Sequence, residues 1–181
     1  MQTFLTHQDF NITAKSLDKK RLNKQLLEGR QILKILATGQ TGGGWVNHPA
    51  TRMWHGYERM FYKYLTAIKD ECVNRGITVD ANWTAIEDLM RQGEYNFSPN
   101  LIEPWWYADV EMLLRIIQTH RANLYKKDPE YYYDYAINAK MFDEMRDKLV
   151  CCPKCNYCWA SHVAKQRTEA ELEGWRNRPL P

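Results

Sequence analysis

The chain has 181 residues, with 25 Lys and Arg against 22 Asp and Glu, a formal net charge of +3. This length buries a core without disulfides or metal, and so mild a balance excludes only an acidic tail protein. Mean hydropathy is −0.64, and no apolar run approaches the ~20 residues that a membrane span needs. The start, Met1-Gln2-Thr3-Phe4-Leu5, lacks the charged and apolar regions of a signal peptide, so a cytoplasmic monomer with no membrane partner is expected.

Helical periodicity dominates the chain. Ser16 can N-cap a helix running to about Thr38, with Gly39 just past its end and Leu22, Leu26, Leu33, Leu36 and Ala37 as its apolar stripe. The loop over 40–47 contains Gly42-Gly43-Gly44. Neither a following Lys-Ser/Thr nor a preceding strand supports a phosphate loop, so it reads as a connector able to brush a ligand. A second helix is predicted over 50–75, stopping at Gly76, with Met53, Tyr57, Met60, Phe61, Tyr64, Ile68 and Cys72 recurring at helical spacing. Cys72 reads as a small buried hydrophobe. Asp80 can cap a short helix carrying Trp83, Ile86, Leu89 and Met90, and 92–103 reads as a loop.

Pro104 suits the first turn of the next helix, whose stripe is Trp106, Val110, Leu113, Leu114, Ile117 and Leu124, and Asp128-Pro129 ends it. A last helix over 136–150 shows Ile137, Met141, Phe142, Met145 and Leu149. No convincing strand alternation exists. The predicted class is all-α, a compact single-domain helical bundle without a sheet over 1–150, followed by a Cys-rich tail over 151–181.

On a helical wheel of about 100° per residue, Arg21, Lys24, Glu28 and Ile32 fall away from the Leu22/Leu26/Leu33 stripe. Glu28 then projects from a basic flank, where a carboxylate can act as general base or stabilise a cation. The plainer reading is a Lys24–Glu28 surface pair. His48, His55 and His120 come from separate elements and could meet at a metal or a phosphate, though no HExxH-like spacing supports a metal. His120, Arg121, Lys126 and Lys127, followed by Tyr131 and Tyr132, mix cations with flat rings as nucleic acids require, or else form a solvated helix end with rings packed inward. Cys152, Cys155, Cys158 and His162 offer three thiolates and an imidazole. They suit a structural zinc or form a tail of free thiols, and an iron–sulfur run lacks its fourth Cys.

Taken together, ordered blocks resemble the pyrimidine-dimer DNA glycosylases of the endonuclease V type, known from a bacteriophage and from bacterial relatives. The N-terminal Met1-x-Thr3-Phe4-Leu5 resembles the start of the bacterial branch. Leu17-Asp18-Lys19-Lys20-Arg21-Leu22-x-Lys24-Gln25, then Glu28, falls where the family has its catalytic-glutamate helix. Asn47-His48-Pro49, Met53-Trp54 and Gly56-Tyr57-Glu58 resemble the next block, and Glu71-Cys72-x-x-Arg75-Gly76 the end of the long middle helix. Lys127-Asp128-Pro129-x-Tyr131-Tyr132 resembles the C-terminal block, so the resemblance spans residues 1–135.

The resemblance implies a helical glycosylase that acts on double-stranded DNA containing a lesion or modified base, without a catalytic cofactor. The chain's own α-amine, here that of Met1, attacks the sugar C1′ and forms an imine; β-elimination then breaks the strand. Glu28 takes the family's catalytic position. An α-amine titrates near about 7.7 against about 10.4 for Lys, so its neutral fraction at pH 7 is larger by some hundreds. The family's flanking arginines fall on Leu27 and Gln31, with Arg21 and Arg30 nearby as replacements, and its second-residue Arg is Gln2 here. With Lys24, His48 and His55 these form the expected DNA-contacting set, and a phage or bacterial source and a nucleoid-associated place are implied. Two other readings fit the residues: a non-catalytic DNA-binding module of the same fold, and a nucleotide- or DNA-modifying enzyme using His48, His55 and Glu28.

Overall fold

Two aspartates start the first two helices. Asp9 accepts from Asn11 N and Ile12 N to begin α1 (Phe10–Ser16), and Asp18 accepts from Lys20 N and Arg21 N to begin α2 (Lys19–Thr38). The predicted cap Ser16 instead closes α1: its Oγ lies 2.6 Å from Thr6 Oγ1, and Leu17 is extended. Gly39 ends α2 in the left-handed conformation, φ 60°, as its place in the sequence suggests. The computed structural model describes residues 2–40, 42–94, 97 and 100–145. It is all-α, with no strand among the described residues.

The helix predicted over 50–75 is two helices, α3 (Pro49–Trp54) and α4 (Glu58–Asn74). Gly56 makes the break at φ 82°, a backbone angle that side chains disfavour, and its N–H donates to Glu58 Oε1 at 2.7 Å. Met53, Trp54 and Tyr57 are buried on both sides of the break, so the apolar pattern runs through it unchanged. In α5 (Asp80–Gln92), Asp80 is the first helical residue and Val79 stands at the cap.

α2 packs on α4 and α5, and α1 on α4. The core contains stacked rings, Trp54 on Phe61 at 4.7 Å and on Tyr64 at 5.7 Å between centroids. Arg75 clamps the α1–α2 junction to the end of α4: Nη1 donates to the Leu17 carbonyl at 2.6 Å, Nη2 to that of Lys15 at 2.7 Å, and Nε to Glu71 at 2.6 Å. The buried Cys72 thiol is pushed up to about 11, chiefly by burial, so it stays protonated and packs as an apolar group.

Gly29 sets the α2–α4 approach. A Cβ there would collide with Leu65 Cδ2, and Leu65 is fully buried, with little room to withdraw. Gly29→Ala is therefore expected to lose up to about 2 kcal/mol of net stability, an overpacking cost of roughly 1–3 kcal/mol being partly offset by the ~1 kcal/mol gain in helix propensity. Urea denaturation of the two proteins measures it.

Contacts divide the chain into two compact units, Met1–Pro104 and Trp105–Pro181. The first holds α1–α5. The second holds α6 (Trp105–Ala108), α7 (Val110–Lys127), a 3-10 turn (Tyr133–Tyr135) and α8 (Ala136–Met145). Pro104 immediately precedes α6, and Asp109 caps α7 by accepting from Met112 N. The predicted stripe of α7 is partly misplaced: Val110 and Leu114 are exposed, whereas Leu113, Ile116, Ile117, His120 and Leu124 are buried. Both sets have helical spacing, so periodicity alone does not choose between them. On α8, Ile137 and Met141 are exposed and Ala139 is buried. The residues expected to extend that helix to 150, and the tail with Cys152, Cys155, Cys158 and His162, lie outside the described residues.

Candidate active site at the N-terminal segment

Residues 2–5 are outside any helix and bond to α2 and α4. Gln2 N donates to Glu28 Oε2 at 3.0 Å, and Phe4 N donates to Gln25 Oε1 at 3.0 Å. Residues 25 and 28 are one helical turn apart on the same face, so alternate amides of the segment meet successive polar side chains of α2. The Tyr64 hydroxyl sits 2.8 Å from Gln25 Oε1 and 3.0 Å from the Phe4 carbonyl oxygen. Trp54 Nε1 donates to Thr3 Oγ1 at 3.0 Å. Thr3, Gln25, Trp54 and Tyr64 are buried, where an unmade hydrogen bond costs roughly 1–3 kcal/mol. The network therefore fixes the segment's register on the helix.

Glu28 is consequently not on an open basic flank. It is 7% exposed, because a non-helical segment covers the side of α2 that the wheel leaves outside. Lys24 Nζ stands 3.7 Å from Glu28 Oε1, with the Lys24 side chain 63% exposed. The pair exists, but one partner is buried and accepts a backbone N–H through its other oxygen. Met1, the other catalytic candidate, lies outside the described residues.

His48 begins α3. Its Nδ1 accepts from Ala50 N at 3.1 Å, which leaves the ring proton of the neutral form on Nε2. Burial, and after it the positive charge of the chain's amino terminus, lower the imidazole from its ordinary 6.5 to about 4. As pH falls, the unfolded chain takes this proton before the folded one does. The stabilisation from a neutral His48 is thus present above pH 6.5 and lost as pH falls towards about 4. His48→Asn keeps a capping acceptor and removes the titration. Its urea midpoint is expected to fall less than that of the parent between pH 7 and 4.5.

The remaining candidates divide by unit. In the first, Arg21 pairs with Asp18 at 3.3 Å, Arg30 is half-buried, and Gln31 and His55 are exposed. Gln2 is buried, so its contribution here is a backbone amide and not a side chain offered to a DNA phosphate. In the second, Lys126, Lys127 and Tyr131 are exposed, and Arg121 lies over the Tyr135 ring at 5.3 Å. Tyr132 is buried, stacked on Tyr135 at 5.7 Å, and His120 is fully buried in register with Ile116 and Leu124. Those two belong to the interior and not to a DNA-facing surface, because packing of α7 sets their exposure and composition does not report it. Among the described residues, no group of three or more His, Cys, Asp or Glu could hold a metal ion, and no helix is long and apolar enough to cross a membrane.

Gln25, Tyr64, Thr3 and Trp54 escape sequence reasoning as site-builders. One signal was available: Gln25 is a polar residue within the buried register of Leu22, Leu26 and Gly29, which calls for a partner.

Residues 1–85 match the pyrimidine dimer DNA glycosylase family. The matched stretch runs from the N-terminal segment through α4 into α5, and it contains Glu28, Gln25, Thr3, Trp54 and Tyr64. The match covers less than half of the chain. The block from Lys127 to Tyr132 lies beyond it. Neither the comparison with curated proteins nor that with solved structures gave a match.

Proposed function

We propose that the chain is a DNA glycosylase with abasic-site lyase activity, in which the α-amine of Met1 is the nucleophile and Glu28 the catalytic carboxylate. The observation that carries this reading is the hydrogen bond from Gln2 N to the buried Glu28. Three covalent bonds separate that nitrogen from the α-amino nitrogen of residue 1, a span of at most about 4 Å. The reacting amine is thereby tethered close to the carboxylate. Burial strengthens the carboxylate's field on a developing cation.

The chemistry balances with these two groups and the substrate. The neutral amine attacks C1′ of the damaged nucleotide, the C1′–N bond breaks, and the base leaves with its electron pair and a proton. Glu28 stabilises the positive sugar and then shuttles a proton as the ring opens to the protonated imine. Loss of a C2′ proton drives β-elimination, which breaks the C3′–O bond. The target nucleotide must leave the stack for C1′ to be reached, and exposed Lys24 is placed to meet its phosphate.

The test is incubation with ultraviolet-irradiated duplex and with abasic duplex in the presence of borohydride. Strand cleavage at the lesion and a covalent adduct with abasic DNA are expected. Salt-dependent binding without base release or adduct would contradict this reading and favour a DNA-binding module.

A further inference from the structure

Trp45 is the large aromatic left outside the core at this end of the first unit. It is 51% exposed, whereas Trp54 is fully buried as part of the wall beneath the N-terminal segment. The loop that carries it is formed: Val46 N donates to the Gly43 carbonyl and His48 N to that of Trp45, each at 3.2 Å. Two consecutive turns thus hold the indole at a set place between α2 and α3. Around it the loop is bare, since a Cβ added at Gly42 or Gly44 would meet nothing within 4 Å. On its inner side the indole meets His48, ring centroids 5.1 Å apart and tilted by 50°. His48 caps α3, and α3 is tied to the N-terminal segment through Trp54 and Thr3.

An indole braced on one side, open on the other and carried just before α3, the helix that Trp54 ties to Thr3 of the N-terminal segment, has the form of a stacking platform. We propose that Trp45 is the residue against which a base displaced from the duplex stacks when the damaged nucleotide is brought to the amine. The inference rests on the glycosylase reading above and adds to it a substrate-contacting residue. Stacking is indifferent to which base is presented, so Trp45 supports extrusion and leaves the choice of lesion to other groups.

The test compares wild type with Trp45→Ala, Trp45→Leu and Trp45→Phe on two DNAs: an irradiated duplex and a single-stranded abasic oligonucleotide with borohydride. Trp45→Ala and Trp45→Leu are expected to slow base release from duplex by about 10- to 100-fold, and Trp45→Phe to restore most of it, since stacking on a flat ring is what is lost. Adduct formation with the single strand, which has no stacked base to displace, should be unchanged in all three. Unchanged melting temperatures would exclude misfolding. If wild type forms the adduct and Trp45→Ala matches it on duplex, or if Phe fails as Leu does, the platform is overturned while the glycosylase reading stands. If wild type forms no adduct on either DNA, the glycosylase reading falls and this inference with it.

Discussion

Glu28→Gln is expected to lower base release from irradiated duplex by at least about 100-fold, the lower end of what a positioned acid–base group contributes. Glutamine keeps an oxygen able to accept from Gln2 N, so the N-terminal segment stays seated on α2 and the fold is unchanged. What disappears, on the proposed mechanism, is the negative charge opposite the developing sugar cation and the site that carries the proton. Glu28→Ala should behave differently. It removes the charge and also leaves the Gln2 amide without the acceptor that holds it at 3.0 Å, adding a stability loss of roughly 1–3 kcal/mol. Single-turnover base release measured beside urea denaturation separates the two effects. A Gln variant within a few-fold of wild type would show that Glu28 only anchors the segment.

A two-residue extension at the N-terminus is expected to abolish the borohydride-trapped adduct, a loss of more than about 100-fold. The extension turns the α-amine of Met1 into an amide with no nucleophilic lone pair. It also moves the new amine away from the carboxylate. A lysine nucleophile would be indifferent to this change. DNA binding should survive, because the exposed cations proposed to meet phosphate are untouched. The pH dependence gives an independent mark: adduct formation should rise through about pH 7–8, where an α-amine loses its proton, and not near 10.

The helical class and the end of α2 at Gly39 were legible because periodicity and C-cap glycine are local signals. Glu28 was found by its place in ordered motifs, not by its spacing, which alone favoured a surface pair with Lys24. Its burial was hidden because a helical wheel describes one helix and says nothing of a non-helical segment laid over it. The break at Gly56 was hidden for a related reason: the residues on both sides of it remain apolar and buried. Ser16 lost the cap to Asp18, two residues on and followed directly by helix. The inward turn of His120 and Tyr132, and the outward turn of Val110 and Leu114, depend on which face of α7 is packed. A stretch of cations and aromatics reads the same in either case. Arg75 is the opposite example, since a motif residue that suggested the family proves to be a clamp between α1, α2 and α4.

The most direct measurement is mass spectrometry of proteolytic fragments from the borohydride-trapped adduct with abasic DNA. The account predicts a sugar remnant on the α-nitrogen of Met1, in the tryptic fragment ending at Lys15, and in no other fragment. A remnant on Lys24 or on any other lysine side chain, with the N-terminal fragment unmodified, would contradict it.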